Sequence, residues 1–262
     1  WDNKQLYHEY SARKNNVKDF LDIGKSFNNS IAFNGASEDN KLTYYLSYSN
    51  TKDDGIMPTD ADSYKRNTLA YRSTYQGTDW LKVSSNLNFT TNKTNVVGTY
   101  QGTSVIDKKD LSSPFNTPEA YFTPYGITNP YWALANNYNQ LNSKQFNGKI
   151  QADINPIKEL TLTYRFGFDH LNYDQKIGVP EIKLDDKLIT DNKGYPPSAM
   201  NQAGNVFSRY GSSYELNHDF LATYDNKFDK LSLTAMLGMN INERYRTYMQ
   251  GQTDGLSVYT GF

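Results

Sequence analysis

From Gln145 to Leu171 the chain alternates polar and apolar residues in two runs, joined by a short Asn155-Pro156-Ile157-Lys158-Glu159 connection. In the first run Phe146, Gly148, Ile150, Ala152 and Ile154 oppose Gln145, Asn147, Lys149, Gln151 and Asp153. In the second, Leu160, Leu162, Tyr164, Phe166 and Phe168 oppose Thr161, Thr163, Arg165, Gly167 and Asp169. A period of two sends successive side chains to opposite faces of a sheet, so this stretch reads as a β-hairpin with one apolar and one polar face. Each run is about ten residues, the length a tilted strand needs to cross the hydrocarbon layer of a bilayer.

The unit recurs three more times. Phe27, Ile31 and Phe33 share a face, followed by Leu42, Tyr44, Leu46 and Tyr48; Leu69, Tyr71 and Tyr75 precede Leu81, Val83, Leu87 and Phe89. Tyr214, Leu216, Phe220, Ala222 and Tyr224 are followed by Leu231, Leu233, Ala235, Leu237, Met239 and Ile241. The pattern predicts strands over residues 26–35, 41–50, 64–76, 80–91, 145–154, 160–171, 213–224 and 230–243. Turns are expected at 35–40, Gly77-Thr78-Asp79, 155–159 and Asp225–Asp229. Residues 1–25 are expected to form an external loop with a short helix around Asn16–Ile23, where Val17, Phe20 and Leu21 fall at helical spacing.

The connections alternate short and long. A soluble sandwich does not sort its turns by parity, whereas an outer-membrane barrel does, with short turns on one rim and long loops on the other. Loops of roughly 50 and 40 residues also count against a compact soluble domain, where structureless segments above about 15 residues are uncommon. The fold class expected is all-β: an antiparallel transmembrane β-barrel segment of eight strands with long extracellular loops, a wedge of a larger barrel. None of the apolar positions named above is Asp, Glu, Lys or Arg. Arg66, Arg72, Lys82, Lys149, Asp153, Arg165, Asp169, Glu215 and Asp219 lie opposite the apolar positions, where Arg66, Arg72, Lys82, Arg165 and Asp169 would face the lumen. His218 alone falls on the apolar face near mid-strand, which calls for a protein-covered patch or a β-bulge there.

Composition closes off other classes. Net charge is -1, with 27 Lys+Arg against 28 Asp+Glu and no basic cluster, so nucleic acid is not an expected partner. Mean hydropathy is -0.77 and no run of apolar residues is long enough for a spanning helix, which leaves barrel strands untouched. There is no cysteine for disulfides or thiolate metal sites. The chain starts at Trp1 and stops at GLSVYTGF, ends that read as cut from within a longer protein.

Several short segments, in order, resemble the SusC/RagA-type TonB-dependent transporters of the Gram-negative outer membrane. They are Asn29-Ser30-Ile31-Ala32-Phe33-Asn34-Gly35-Ala36-Ser37, Lys41-Leu42-Thr43-Tyr44-Tyr45-Leu46-Ser47-Tyr48, Asp54-Gly55-Ile56, Tyr64-Lys65-Arg66-Asn67-Thr68 and Asn129-Pro130-Tyr131-Trp132-Ala133-Leu134. Gly35-Ala36-Ser37 departs from the family's usual double glycine. The resemblance implies a barrel of 22 strands filled by a plug, a TonB-contacting segment, and a SusD-like surface lipoprotein as a lid. It implies TonB-energised import of oligosaccharides or peptides by an integral protein of the outer membrane, surrounded by its lipid. No plug is recognised in these residues. The alternatives are a passive outer-membrane channel or surface adhesin, and a soluble carbohydrate-binding β-sandwich.

An enzyme is not expected. His170 beside Asp169 and His218 beside Asp219 are strand neighbours whose side chains leave opposite faces. Asp53, Asp54, Asp60 and Asp62 offer oxygen ligands of the kind Ca²⁺ takes, but lack the glycine and terminal glutamate spacing of an EF-hand loop, so a solvated acidic loop is the preferred reading and no cofactor is expected. For ligand or lid contact the candidates are Tyr121, Phe122, Tyr125, Tyr131 and Trp132, aromatic platforms suited to sugar rings or peptide side chains. Loop packing is the preferred role for Tyr131 and Trp132.

Overall fold

The computed structural model describes residues 15–97, 130–181 and 203–256. They form one antiparallel sheet whose strands pair in chain order: β1 (Lys25–Ala36), β2 (Leu42–Asp54), β3 (Ser63–Thr78), β4 (Leu81–Asn95), β5 (Tyr138–Ile157), β6 (Leu160–Val179), β7 (Asn205–Phe228) and β8 (Leu231–Asp254). Two short helices, α1 (Asn16–Phe20) and α2 (Pro130–Asn136), sit at the long-loop end. The soluble sandwich is thereby overturned, because it requires two facing layers. A sequential meander is the wall of an up-and-down barrel.

Burial names the solvent. Among the described residues the buried hydrophobic core, Phe20, Ala133 and Leu134, lies on the helices and not on the strands. The strands leave Phe33, Leu46, Tyr71, Phe146, Ile150 and Leu237 exposed on one continuous face. An apolar surface of this extent is a liability in water and the proper exterior in lipid.

That face is a band that rises from the short turns and stops well before the long-loop end of each strand. Its last apolar residue lies six to eleven positions from the short-turn end of each of the middle strands: Tyr48 six beyond Leu42, Leu69 nine before Thr78, Phe89 eight beyond Leu81, Phe146 eleven before Ile157. Asn50, Asn67, Thr91 and Lys144 come next on the same face. Ten residues rising ~3.3 Å each at a tilt of ~40° span ~25 Å, the height of a barrel's lipid belt. The hydrogen-bonded rows do not follow this line. Gly35, Tyr44, Ser73, Ser85, Ile150, Phe166, His218 and Ile241 are partners in one row, yet Gly35 adjoins its turn while His218 lies ten residues from the end of β7 at Phe228. This is the stagger that barrel closure with tilted strands demands.

His218 is thereby explained without a bulge. The register of β7 against both neighbours is unbroken. At its height the residue reaches the outer edge of the band, where its Nδ1 is 2.9 Å from the Tyr164 hydroxyl and its ring lies 5.1 Å from that of Phe166. Glu243, on the same face of β8, lies higher still, twelve residues beyond Leu231.

The strands overrun their expected bounds, almost entirely at the long-loop end. β5 begins at Tyr138 rather than 145, β6 continues to Val179 rather than 171, β7 begins at Asn205 rather than 213, and β8 continues to Asp254 rather than 243. Above the band both faces are wet, so alternation fades while the backbone ladder continues. Two turn residues are also relocated. Gly77 and Pro156 lie at register shifts in β3 and β5, and the turns proper are Asp79-Trp80 and Lys158-Glu159. Proline is tolerated there because a bulge leaves its missing N–H unneeded. The turn after β7 is Asp229-Lys230, with Asp229 at φ 52, a conformation Asp accepts better than most residues.

Between β1 and β2 the turn is knit by side chains. The Asp39 carboxylate accepts from Ser37 Oγ (2.5 Å) and from the Lys41 N–H (3.1 Å), while Ser37 Oγ accepts from the Leu42 N–H (3.0 Å). The Ser37 hydroxyl, then the Lys41 amide, hold the Asp39 carboxyl below its ordinary range. Because the folded state favours the charged form, the turn keeps its full contribution above the unfolded value of about 3.9 and loses it as pH falls through the lowered folded value. A carboxyl-carbon NMR titration is expected to place the Asp39 midpoint below about 3.9, and a midpoint at or above that value would refute the turn geometry.

Gly148 marks a close strand approach. A Cβ there would lie 2.4 Å from the backbone carbonyl oxygen of Asn86 and 3.1 Å from the Leu87 Cα. Because backbone rather than a movable side chain blocks it, Gly148→Ala is expected to cost about 1–3 kcal/mol in urea unfolding of the refolded barrel. Gly167→Ala on the interior strand β6, whose Cβ would meet nothing nearer than the Asn217 Cβ at 3.6 Å, is the control and should change stability by less than about 0.5 kcal/mol.

Candidate functional site

The face opposite the band is a polar wall, organised around carboxylates held by amides of their own and of neighbouring strands. Asp153 on β5 accepts from Gln151 Nε2 (2.9 Å) and from Thr163 Oγ1 (2.7 Å) on β6. Arg165 Nε donates to Gln151 Oε1 (3.0 Å), so one amide bridges a guanidinium and a carboxylate. Across β7 and β8, Asp219 accepts from Asn217 Nδ2 (3.1 Å) and Asn240 Nδ2 (2.5 Å). Nearer the long-loop end Asp169 accepts from Gln145 Nε2 (2.9 Å). Glu215 accepts from Asn242 Nδ2 (2.8 Å) and pairs with Arg244, whose Nε is 2.9 Å from Oε2. Each carboxylate keeps acceptor capacity beyond these bonds, and Arg165 keeps donors beyond its Nε–H. The wall can therefore grip amides, carboxylates, ammonium groups or hydroxyls in the lumen.

The five lumen charges expected from the sequence share this face but not one site. Arg165 and Asp169 join the amide network through Gln151 and Gln145. Lys82 is the register partner of Asp153. Arg66 turns its Nε to Thr68 on its own strand (3.2 Å), and Arg72 lies over the Tyr45 ring, 5.6 Å from its centroid. Arg244 escaped sequence reading because β8 was expected to end at 243, and Asn242, inside those bounds, because an uncharged amide was not among the charges singled out. Their signal was the continued alternation of Ile241, Glu243 and Tyr245 with Asn242, Arg244 and Arg246.

Tyr121, Phe122 and Tyr125 lie outside the described residues. Tyr131 and Trp132 are on α2, whose next two residues, Ala133 and Leu134, are buried. Leu134 packs on Phe20 of α1, with Leu21, Met57, Ala61 and Val97 around them. Beneath this cap, the Asp62 carboxylate is taken up by loop backbone, accepting from the Ile56 N–H (2.8 Å) and the Met57 N–H (3.1 Å). A Cβ on Gly55 would overlap that carboxylate at 1.9 Å, which is why the loop places glycine there. Asp53 receives the Ser26 hydroxyl (2.5 Å) from the strand face opposite to that of Asp54. Among the described residues no three His, Asp or Glu side chains converge as a metal site would require.

This geometry defines a class: a wedge of transmembrane β-barrel with a lipid belt outside, a hydrogen-bonding wall inside and its long loops at one end. Solved structures share this fold. The chain is similar to the RagAB peptide transporter at 20% identity and TM-score 0.71, covering 93% of this chain and 27% of that one. It also matches the RagAB peptide importer in the "open-open" state (TM-score 0.72, with the same identity and coverage). A more distant match is BauA, the ferric preacinetobactin receptor from Acinetobacter baumannii (10% identity, TM-score 0.50, 88% of this chain and 31% of that one). The chain thus spans about a quarter to a third of the length of the barrels it matches. No family model and no curated protein matches it.

Proposed function

We propose that this chain forms part of the barrel wall of an energy-coupled outer-membrane importer, TonB-driven and working with a SusD-like lipoprotein lid, and that its cargo is short peptides. It acts as a conduit rather than an enzyme. The observation that carries the reading is the wall itself: carboxylates pre-held by Gln and Asn amides, with the Arg165 guanidinium open to the lumen. Such a wall suits the alternating donors and acceptors of a peptide backbone and its charged ends. The similarity to a peptide transporter of the same fold points the same way.

The test is uptake by cells carrying the whole protein, offered oligopeptides or oligosaccharides, with and without active TonB. TonB-dependent peptide uptake is the expected result. Oligosaccharide uptake alone would replace the cargo, uptake without TonB would mark a passive channel, and cell attachment without uptake would mark an adhesin. Arg165→Gln removes a charge-assisted donor and is expected to weaken peptide affinity about 10- to 100-fold, from the ~1.5–3 kcal/mol typical of such bonds, while leaving folding intact. Titration calorimetry on the purified whole transporter reads that change.

A further inference from the structure

We propose that the outward face of β2–β5, just above the lipid belt, is a binding site for phosphate-bearing lipid headgroups of the outer leaflet, built from Lys52, Lys65, Lys93 and Lys144. This rests on the outer-membrane reading above.

The register makes the case. Lys52 is the direct partner of Lys65, and Lys65 of Lys93. Lys144 joins one rung lower, opposite Thr91. Like charges directly across a ladder repel, so a sequence with free choice would not place three in a row. Partners lie ~4.5–5.5 Å apart at Cα, which puts three ammonium groups on flexible stems within a span of ~10 Å. All four side chains are exposed. Among the described residues the ion pair is Arg244 with Glu215, on the other face of the sheet, and none engages these lysines. The acids sharing their face nearby are Asp54, one rung beyond Lys52, and Asp174, which accepts from Asn142 (2.9 Å).

Height supplies the second, independent argument. Lys52 lies ten residues beyond Leu42, Lys93 twelve beyond Leu81, and Lys65 and Lys144 thirteen before Thr78 and Ile157. The four therefore share one level on four successive strands, although tilt staggers the rows. Directly below come an amide layer and an aromatic layer. Asn50 Nδ2 donates to Asn67 Oδ1 (2.7 Å), Asn67 Nδ2 to Thr91 Oγ1 (3.2 Å), and the Tyr48 hydroxyl rises to Asn67 Oδ1 (2.9 Å). Aromatic, amide and ammonium layers in that order match acyl chain, glycerol or sugar, and phosphate. A lone lysine at this level would merely snorkel to water. Four adjacent ones, with no carboxylate among them, hold more than one phosphate.

The experiment is native mass spectrometry of the detergent-purified whole protein, titrated with a bisphosphorylated glucosamine-disaccharide lipid and with its phosphatase-treated form. The wild type is expected to bind the phosphorylated form preferentially. K52Q/K65Q/K93Q/K144Q should weaken that binding at least ~10-fold, and each single change a few-fold. A control removes the same charge from the opposite rim, K41Q/K158Q/K227Q/K230Q, and should leave binding unchanged. Equal binding by wild type and variant, or equal binding of the dephosphorylated lipid, would each overturn the proposal. The single variants decide the matter if the quadruple variant does not fold. Failure of the whole protein to fractionate with the outer membrane would instead sink the underlying reading, a separate measurement.

Discussion

Replacing Ser85 by arginine is expected to destabilise the barrel by about 2–4 kcal/mol, while the same replacement at Ser84 changes stability by no more than about 0.5 kcal/mol. The two positions are adjacent on β4 and begin as the same residue, so propensity and strand context cancel. Only the face differs. Ser85 is partnered by Ser73 and Ile150 on the lipid side, where the two serine hydroxyls satisfy each other at 2.8 Å. It lies four residues beyond Leu81, close to the middle of a belt ~25 Å tall, where a charge has no wet layer within reach. Arginine there also strands the Ser73 hydroxyl in lipid. Ser84 is partnered by Thr74 and Gln151 on the polar wall, where a guanidinium meets water and amide oxygens. Urea unfolding of the whole protein refolded into vesicles measures both variants. Equal losses, or a larger loss at Ser84, would reverse the assignment of faces.

The same contrast explains what could be read before the fold was known. Alternation is visible where one face meets lipid and the other water, so the strand cores and their charged sides are legible from residue order. Ser208 to Ser212, Ser-Arg-Tyr-Gly-Ser, is polar toward both faces and gives no contrast, yet it pairs with β6 and β8 throughout. Gly77 and Pro156 carry turn chemistry that a bulge uses equally well. The polar wall was legible only as a set of charges. That Gln145 meets Asp169, or that Gln151 links Arg165 to Asp153, depends on strand register, which bulges such as that at Pro156 shift. The lysine row depends on register as well: Lys52, Lys65 and Lys93 are scattered along the chain and become neighbours only through two ladders.

Phe20→Ala is expected to release the helical cap at the long-loop end while leaving the barrel standing. α1 has five residues and α2 seven, well short of the ~12–15 at which an isolated helix begins to hold in water. Their order therefore comes from packing, and the packing centres on Phe20 (3% exposed) against Leu134 (6% exposed), with Leu21, Met57, Ala61 and Val97 closing round them. Truncating a buried phenylalanine costs about 3–5 kcal/mol, enough to raise the undocked population of the cap more than ~100-fold. None of that cost reaches the ladder, because Phe20 belongs to no strand and its cluster lies beyond the rim of the sheet. Limited proteolysis should cut within 15–24 and 130–137 at a rate that rises with the undocked population, and urea unfolding of the barrel should keep its midpoint. Phe20→Leu, which keeps most of the apolar contact, should cut only a few-fold faster than wild type. If a lipoprotein lid closes on these loops, the Ala variant should also lose lid affinity and the Leu variant should keep it. Unchanged cutting in Phe20→Ala would show that the cap stands without its core, and a fall in barrel stability would show that cap and wall fold as one unit.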